Sequence, residues 1–129
     1  MVDLPAPDGP TMAQLVSAGV AVNPATTTPQ DDPNDLLGRP NGYVSRATFT
    51  IPGVDALDDD PAGCDRGGCV EQWEDAAAAQ QRLDYLEQMG DASPMFAEYH
   101  YVRGELVLRI AKAADPALVE QVRAAFLAG

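Results

Sequence analysis

Pro94–Ile110, PMFAEYHYVRGELVLRI, is the stretch whose reading decides the fold. Two runs rich in aromatic and branched residues flank Arg103-Gly104, the pattern of a β-hairpin. A two-residue turn needs a positive φ, which Gly104 adopts without a Cβ penalty. With Arg103-Gly104 as the turn, Val102 faces Glu105, Tyr101 faces Leu106 and Tyr99 faces Leu108. Side chains alternate across a strand. One face therefore carries Ala97, Tyr99, Tyr101, Leu106, Leu108 and Ile110, and is expected in the core. The other carries Glu98, His100, Val102, Glu105, Val107 and Arg109. It is mixed, and is expected to be wholly or partly wet. This register sets Glu98 opposite Arg109, a cross-strand pair worth about 0.2–1 kcal/mol.

The flanking chain supplies the remaining elements. After the hairpin, Asp115-Pro116 opens a helix with aspartate at the cap and proline in the first turn. Its core face is Leu118, Val122, Ala125 and Phe126. Before the hairpin, Asp75 caps the helix AAAAQQRLDYLEQM, which Gly90 stops. Its buried stripe is Ala79, Leu83, Leu86 and Met89 or Gly90, with Arg82, Asp84, Glu87 and Gln88 outward or flanking. Cys69–Glu74 reads as a short strand in which Val70 and Trp73 cannot share a face, so it needs a bulge or burial on both faces. Tyr43–Ile51, YVSRATFTI, alternates as a strand anchored by Phe49 and Ile51. Thr11 caps a helix ending at Gly19, with Met12, Leu15 and Val16 at buried spacing.

Val20 to Gly42 contains four prolines and is mostly irregular, with Val20–Val22 suited to a short edge strand and Leu36-Leu37 turned into the core. Residues 1–10 read as a flexible lead-in and 11–129 as a single domain. The order is α-β-β-α-β-β-α. Short links between consecutive strands imply antiparallel pairing. The expected class is α+β, a two-layer sandwich with an antiparallel sheet of about four strands and the helices packed on one face.

Composition narrows the function classes. The chain has 129 residues and a net charge of −12. It is long enough to bury about two-thirds of its unfolded surface without a metal or staple. The acidic balance argues against direct nucleic-acid binding, which needs cations to release phosphate counterions, and against anionic membranes. No apolar run approaches the roughly 20 residues of a membrane span. Met1 is followed by VDLPAPDGP, which lacks the basic start and apolar middle of a signal peptide. Either the chain is cytoplasmic, or an export signal has been removed and replaced by a methionine.

Three stretches, DPNDLLGRPNGYVSRATF, GGCVEQWEDAAAAQQRLDYLEQM and SPMFAEYHYVRGELVLRIAKAADPALVEQVRAAF, together resemble a family of small bacterial secreted proteins, often lipoproteins, common in Gram-positive bacteria. The resemblance spans Asp32 to Phe126. It is carried by Leu36-Leu37-Gly38-Arg39-Pro40, Gly67-Gly68, Ser93–Tyr99, Tyr101, Gly104 and Leu108-Arg109. It implies an extracytoplasmic location, leaves open a lipid anchor in a full-length form, and brings no catalytic assignment. The chain departs from the family pattern at Gln72, where an apolar residue is expected, and at Cys69, where serine is expected. Cys64 has no counterpart.

Several groups of residues carry chemistry worth weighing. Cys64 and Cys69 enclose four residues, a spacing that allows a disulfide in an exported protein. The competing readings are a metal site, for which His100 is the only histidine, and a redox pair, for which the spacing is wrong. Asp55, Asp58, Asp59, Asp60 and Asp65 form an acidic loop without the ligand spacing of a calcium site. Glu98, His100 and Arg109 on one hairpin face put an acid, a base and a cation together, yet no serine or cysteine nucleophile accompanies them. Arg39 sits in a Gly-Arg-Pro turn, as a tether to carboxylates or a ligand contact. The binding candidates are thus Arg39, Glu98, His100, Arg103 and Arg109, with no cofactor, no metal and no catalytic residue assigned. The expected contact surface is the outer hairpin face with the Gly38-Arg39-Pro40 loop.

The reading favoured by these features is a non-catalytic, extracytoplasmic binding module for a protein or small molecule. The alternative is an intracellular acidic inhibitor that mimics nucleic-acid charge. An enzyme is the third reading, and would need a closed pocket around His100.

Overall fold

The structure, a computed structural model, describes residues 10–22, 42–51, 67–92, 98–112 and 114–128. The elements in chain order are α1 (Pro10–Ser17), β1 (Ala21–Val22), β2 (Ser45–Thr50), β3 (Gly67–Gln72), α2 (Ala76–Ala92), β4 (Glu98–Arg103), β5 (Leu106–Ala111) and α3 (Pro116–Ala128). The class is α+β, and the four six-residue strands and three helices follow the order expected from the sequence. The short strand at 21–22 adds a fifth, giving the sheet order β1-β2-β3-β5-β4 with every pair antiparallel.

The hairpin forms, with its turn one residue further along. Arg103 pairs with Leu106 and Tyr101 with Leu108, so the turn residues are Gly104 and Glu105. Gly104 has φ +58°, the left-handed region its lack of a Cβ permits. The shift moves each partner by two positions, an even step that leaves the side chains of 98–110 on their expected faces, while Ala97 lies outside the described residues. It does change who sits opposite whom. His100, and not Glu98, is the direct partner of Arg109, and Glu98 pairs with Ala111.

Both faces of the sheet are covered, which corrects the expectation of helices on one face. Leu106, Leu108 and Ile110 of β5 join Phe49, Val70, Leu15 of α1 and Val119, Val122 and Phe126 of α3 in one apolar cluster. Val107, between them in β5, belongs to a second cluster with Tyr43, Trp73 and the α2 residues Ala79 and Leu86. Adjacent strand residues point to opposite faces, so α2 lies across the sheet from α1 and α3. The mixed face that looked wet is the floor under α2. There, Val107 and His100 are buried. The physical reason is that α2 has few apolar residues to bury, and it covers a face of matching polarity. Val70 and Trp73 are buried on opposite faces, one of the two arrangements their spacing allowed.

Local signals set the helix starts. Asp75 Oδ1 accepts from Ala78 N at 2.8 Å, and Asp115 Oδ1 accepts from Ala117 N at 3.1 Å, each an N-cap. α2 runs through Gly90 to Ala92, past the stop its glycine suggested. On α1, Leu15 is fully buried but Val16 is half exposed. In α3, Val119 joins Val122 and Phe126 in the core while Leu118 and Ala125 pack at its margin.

Gly68 answers a different need. A Cβ there would lie 2.0 Å from the Arg109 carbonyl oxygen and 2.6 Å from the Phe49 ring. Only glycine lets β5 approach so closely.

Candidate functional site

The face under α2 holds a chain of charged side chains centred on Glu71. Its carboxylate is fully buried. Arg82 of α2 donates from Nε to Oε1 at 3.0 Å and from Nη2 to Oε2 at 3.2 Å. Arg109 Nη1 donates to Oε2 at 3.1 Å, and Trp73 Nε1 donates to Oε1 at 3.2 Å. A carboxylate accepts about four hydrogen bonds, so this one is saturated.

Arg109 links Glu71 to the hairpin. Its Nε donates to Glu98 Oε1, the same oxygen that lies 2.8 Å from His100 Nε2. His100 Nδ1 lies 3.3 Å from Oε1 of Glu87 on α2. Each ring nitrogen thus faces a carboxylate oxygen, and both contacts are hydrogen bonds at once only when both nitrogens carry hydrogen. The imidazole is 1 % exposed, whereas Glu87 is 56 % exposed.

Electrostatics follow this geometry. Burial pushes the Glu98 carboxyl upward, but the hydrogen bond from His100 and the Arg109 guanidinium outweigh it and hold the group below its ordinary value. Burial works against the Arg109 cation, and Glu71 and Glu98 overcome that, raising it further above its already high value.

Of the residues picked from the sequence, the fold brings Glu98, His100 and Arg109 together. Arg103 is separate: its guanidinium lies over the Phe126 ring at 5.4 Å, on the α3 side. Cys69 is fully buried on the α2 side, opposite Arg109 in the ladder, and is not a free thiol. Arg39, Cys64 and the Asp55–Asp65 acids lie outside the described residues. On the outer hairpin face, α2 packs over Val102 and Val107 and reaches His100 through Glu87, and the Gly38-Arg39-Pro40 loop expected beside that face lies outside the described residues.

The residues missed from sequence are Glu71, Arg82 and Trp73. A signal for Arg82 exists. It lies three residues after Ala79 and four before Leu86, which places it on the buried stripe. Its guanidinium lies 5.8 Å from the Trp73 ring centroid and 5.7 Å from that of Tyr85, so its stem and plane are packed while its charge is paired.

Chemically, this arrangement holds its charges in place. The acid, the imidazole and the guanidinium all face one another and α2. Among the described residues, no group of three or more His, Cys, Asp or Glu is placed to hold a metal ion, and no helix is long and apolar enough to cross a membrane. No family model, curated protein or solved structure matches the chain.

Proposed function

We propose that the chain is a non-catalytic interaction module that works outside the cytoplasm and needs no cofactor. The observation that carries this is the closed network of Glu71, Arg82, Arg109, Glu98, His100 and Glu87. A general acid or base must reach a substrate proton at hydrogen-bond distance. Here His100 has both nitrogens on carboxylates and almost no exposed surface. Its role in this reading is to tie α2 to β4. The location rests on the likeness to secreted bacterial proteins and on the cysteine pair, whose proposed Cys64–Cys69 bond suits an oxidising compartment.

The test is the intact mass of the protein recovered from its own host without reductant, with its cell fraction. A processed or lipid-bearing chain in the envelope or medium, lighter by two hydrogens than the reduced form, is the expected result. A reduced chain beginning at Met1 in the cytoplasm would overturn the location and move the acidic-inhibitor reading to first place. Once a partner is in hand, His100→Ala should leave its binding intact.

A further inference from the structure

β4 is the last strand of the sheet, and among the described residues its only strand partner is β5. An edge strand presents a row of backbone N–H and C=O groups to any chain that arrives extended. Natural edges are blunted by charged side chains, lysine above all, by inward-pointing charges, proline, bulges or short length. Of these, β4 carries Glu98 turned in toward Arg109 and His100, and Arg103 at its end. The opposite edge, β1, is two residues long. β4 is six residues, EYHYVR, with no lysine or proline and with an unbroken register against β5.

Each helical layer sets one exposed carboxylate near this edge, Glu87 against His100 and Glu120 against Arg123. From the α2 side, Glu87 is 56 % exposed beside His100 of β4. From the α3 side, Glu120 is 67 % exposed and pairs with Arg123, whose guanidinium lies over the Tyr101 ring of β4. Tyr101 senses both layers. Burial pushes its phenol upward, Arg123 opposes this, and the Glu120 and Glu87 carboxylates add to the push.

We infer that β4 is a docking edge for an extended basic segment of a partner protein, which joins the sheet as a further strand with its cations reaching Glu87 on one face and Glu120 on the other. This is strand addition, in which the backbone ladder gives affinity and alternate side chains give specificity. Consecutive side chains of the incoming strand point to opposite faces, so adjacent basic residues reach opposite helices. Charge selects the occupant. A second copy brings its own carboxylates and a net charge of −12, so the edge favours a cationic segment over itself. The inference rests on the reading of the chain as an interaction module.

The probe is the peptide Lys-Lys-Val-Thr-Lys-Lys-Val-Thr, with blocked ends, added to the full chain and followed by amide hydrogen exchange. Two controls accompany it: the same peptide N-methylated at its two central amides, which keeps the charge but removes a donor from each edge, and the version with glutamate for every lysine. The expected result is slowed exchange at alternate β4 amides with the first peptide alone. Glu87→Gln with Glu120→Gln should weaken that binding roughly fivefold, the worth of two exposed charge pairs. Equal binding of the N-methylated peptide, or binding that leaves β4 exchange unchanged, would overturn the inference. So would protection, in the free chain, of the alternate β4 amides that point away from β5, or protection there that rises with protein concentration as copies associate. A natural partner that binds while β4 keeps exchanging would sink the docking edge and leave the interaction-module reading standing.

Discussion

Glu71 is a charge held where water does not reach, and four donors from three side chains surround it. Its Coulomb gain against two arginines is set against the cost of desolvating all three ions, so the pair's net worth is small while its loss is expensive. Glu71→Ala should therefore cost about 3–5 kcal/mol, because Arg82 and Arg109 would remain buried with an anion removed. The urea midpoint, at unchanged slope, measures it. Glu98 adds a pH dependence whose sign is fixed by its depressed folded-state value. Its contribution is complete above the unfolded carboxyl value of about 4.3 and is lost as pH falls through the folded value. Between pH 6 and pH 3 the wild type should lose more stability than Glu98→Gln. Equal losses would show that Glu98 is not held in its charged form. At this scale the sequence was legible where one element carried the pattern. Glu98, His100 and Arg109 lie on one hairpin, so alternation alone grouped them. Glu71 and Arg82 come from a strand and a helix, and no local period joins a strand to the helix that will cover it.

Elements show a sharper contrast between two glycines. A Cβ at Gly68 meets the Arg109 carbonyl at 2.0 Å, and a backbone atom of a central strand cannot step aside. Gly68→Ala should cost on the order of 4 kcal/mol, or leave too little folded chain to measure. A Cβ at Gly104 meets nothing within 4 Å, and only its φ of +58° is strained by a side chain. Gly104→Ala should cost about 1–2 kcal/mol and fold normally, with thermal unfolding separating the two variants. Removing a cap is milder again, and Asp75→Ala should cost about 1 kcal/mol. The hairpin and both caps could be read from the chain because turn and cap chemistry are local. The turn slipped by one residue because Gly104 satisfies its φ at either turn position. The pairing of Arg103 with Leu106 is what leaves Gly104 and Glu105 in the turn, and it joins residues of two strands, beyond what the turn residues alone encode.

Across the whole molecule, the two sides of the sheet are built from different materials. On one side α1 and α3 close over Leu15, Phe49, Leu108, Ile110, Val122 and Phe126. On the other, α2 buries only Ala79 and Leu86 along its length and is tied down by Arg82 to Glu71 and Glu87 to His100. Sequence polarity could not assign the layers, since a face bearing Glu98, His100 and Arg109 looks like a solvent face until a helix bearing the complementary charges is laid on it. This asymmetry predicts the order of unfolding. Apolar burial sets most of the stability of a packed layer, whereas ion pairs contribute little net free energy, so the α2 layer should open below the free energy of global unfolding. Trp73 is the only tryptophan and sits in the α2 cluster, so its fluorescence reports on that layer alone. In a urea titration its transition should precede the loss of far-UV ellipticity, and the α2 amides should exchange faster than those of β3, β5 and α3. Lowering the pH toward 3 should widen the gap, because protonating Glu98 loosens Arg109 and His100 together. Coincident transitions at both pH values would mean that the network couples α2 to the sheet as firmly as the apolar core couples α3, and that the molecule unfolds as one unit.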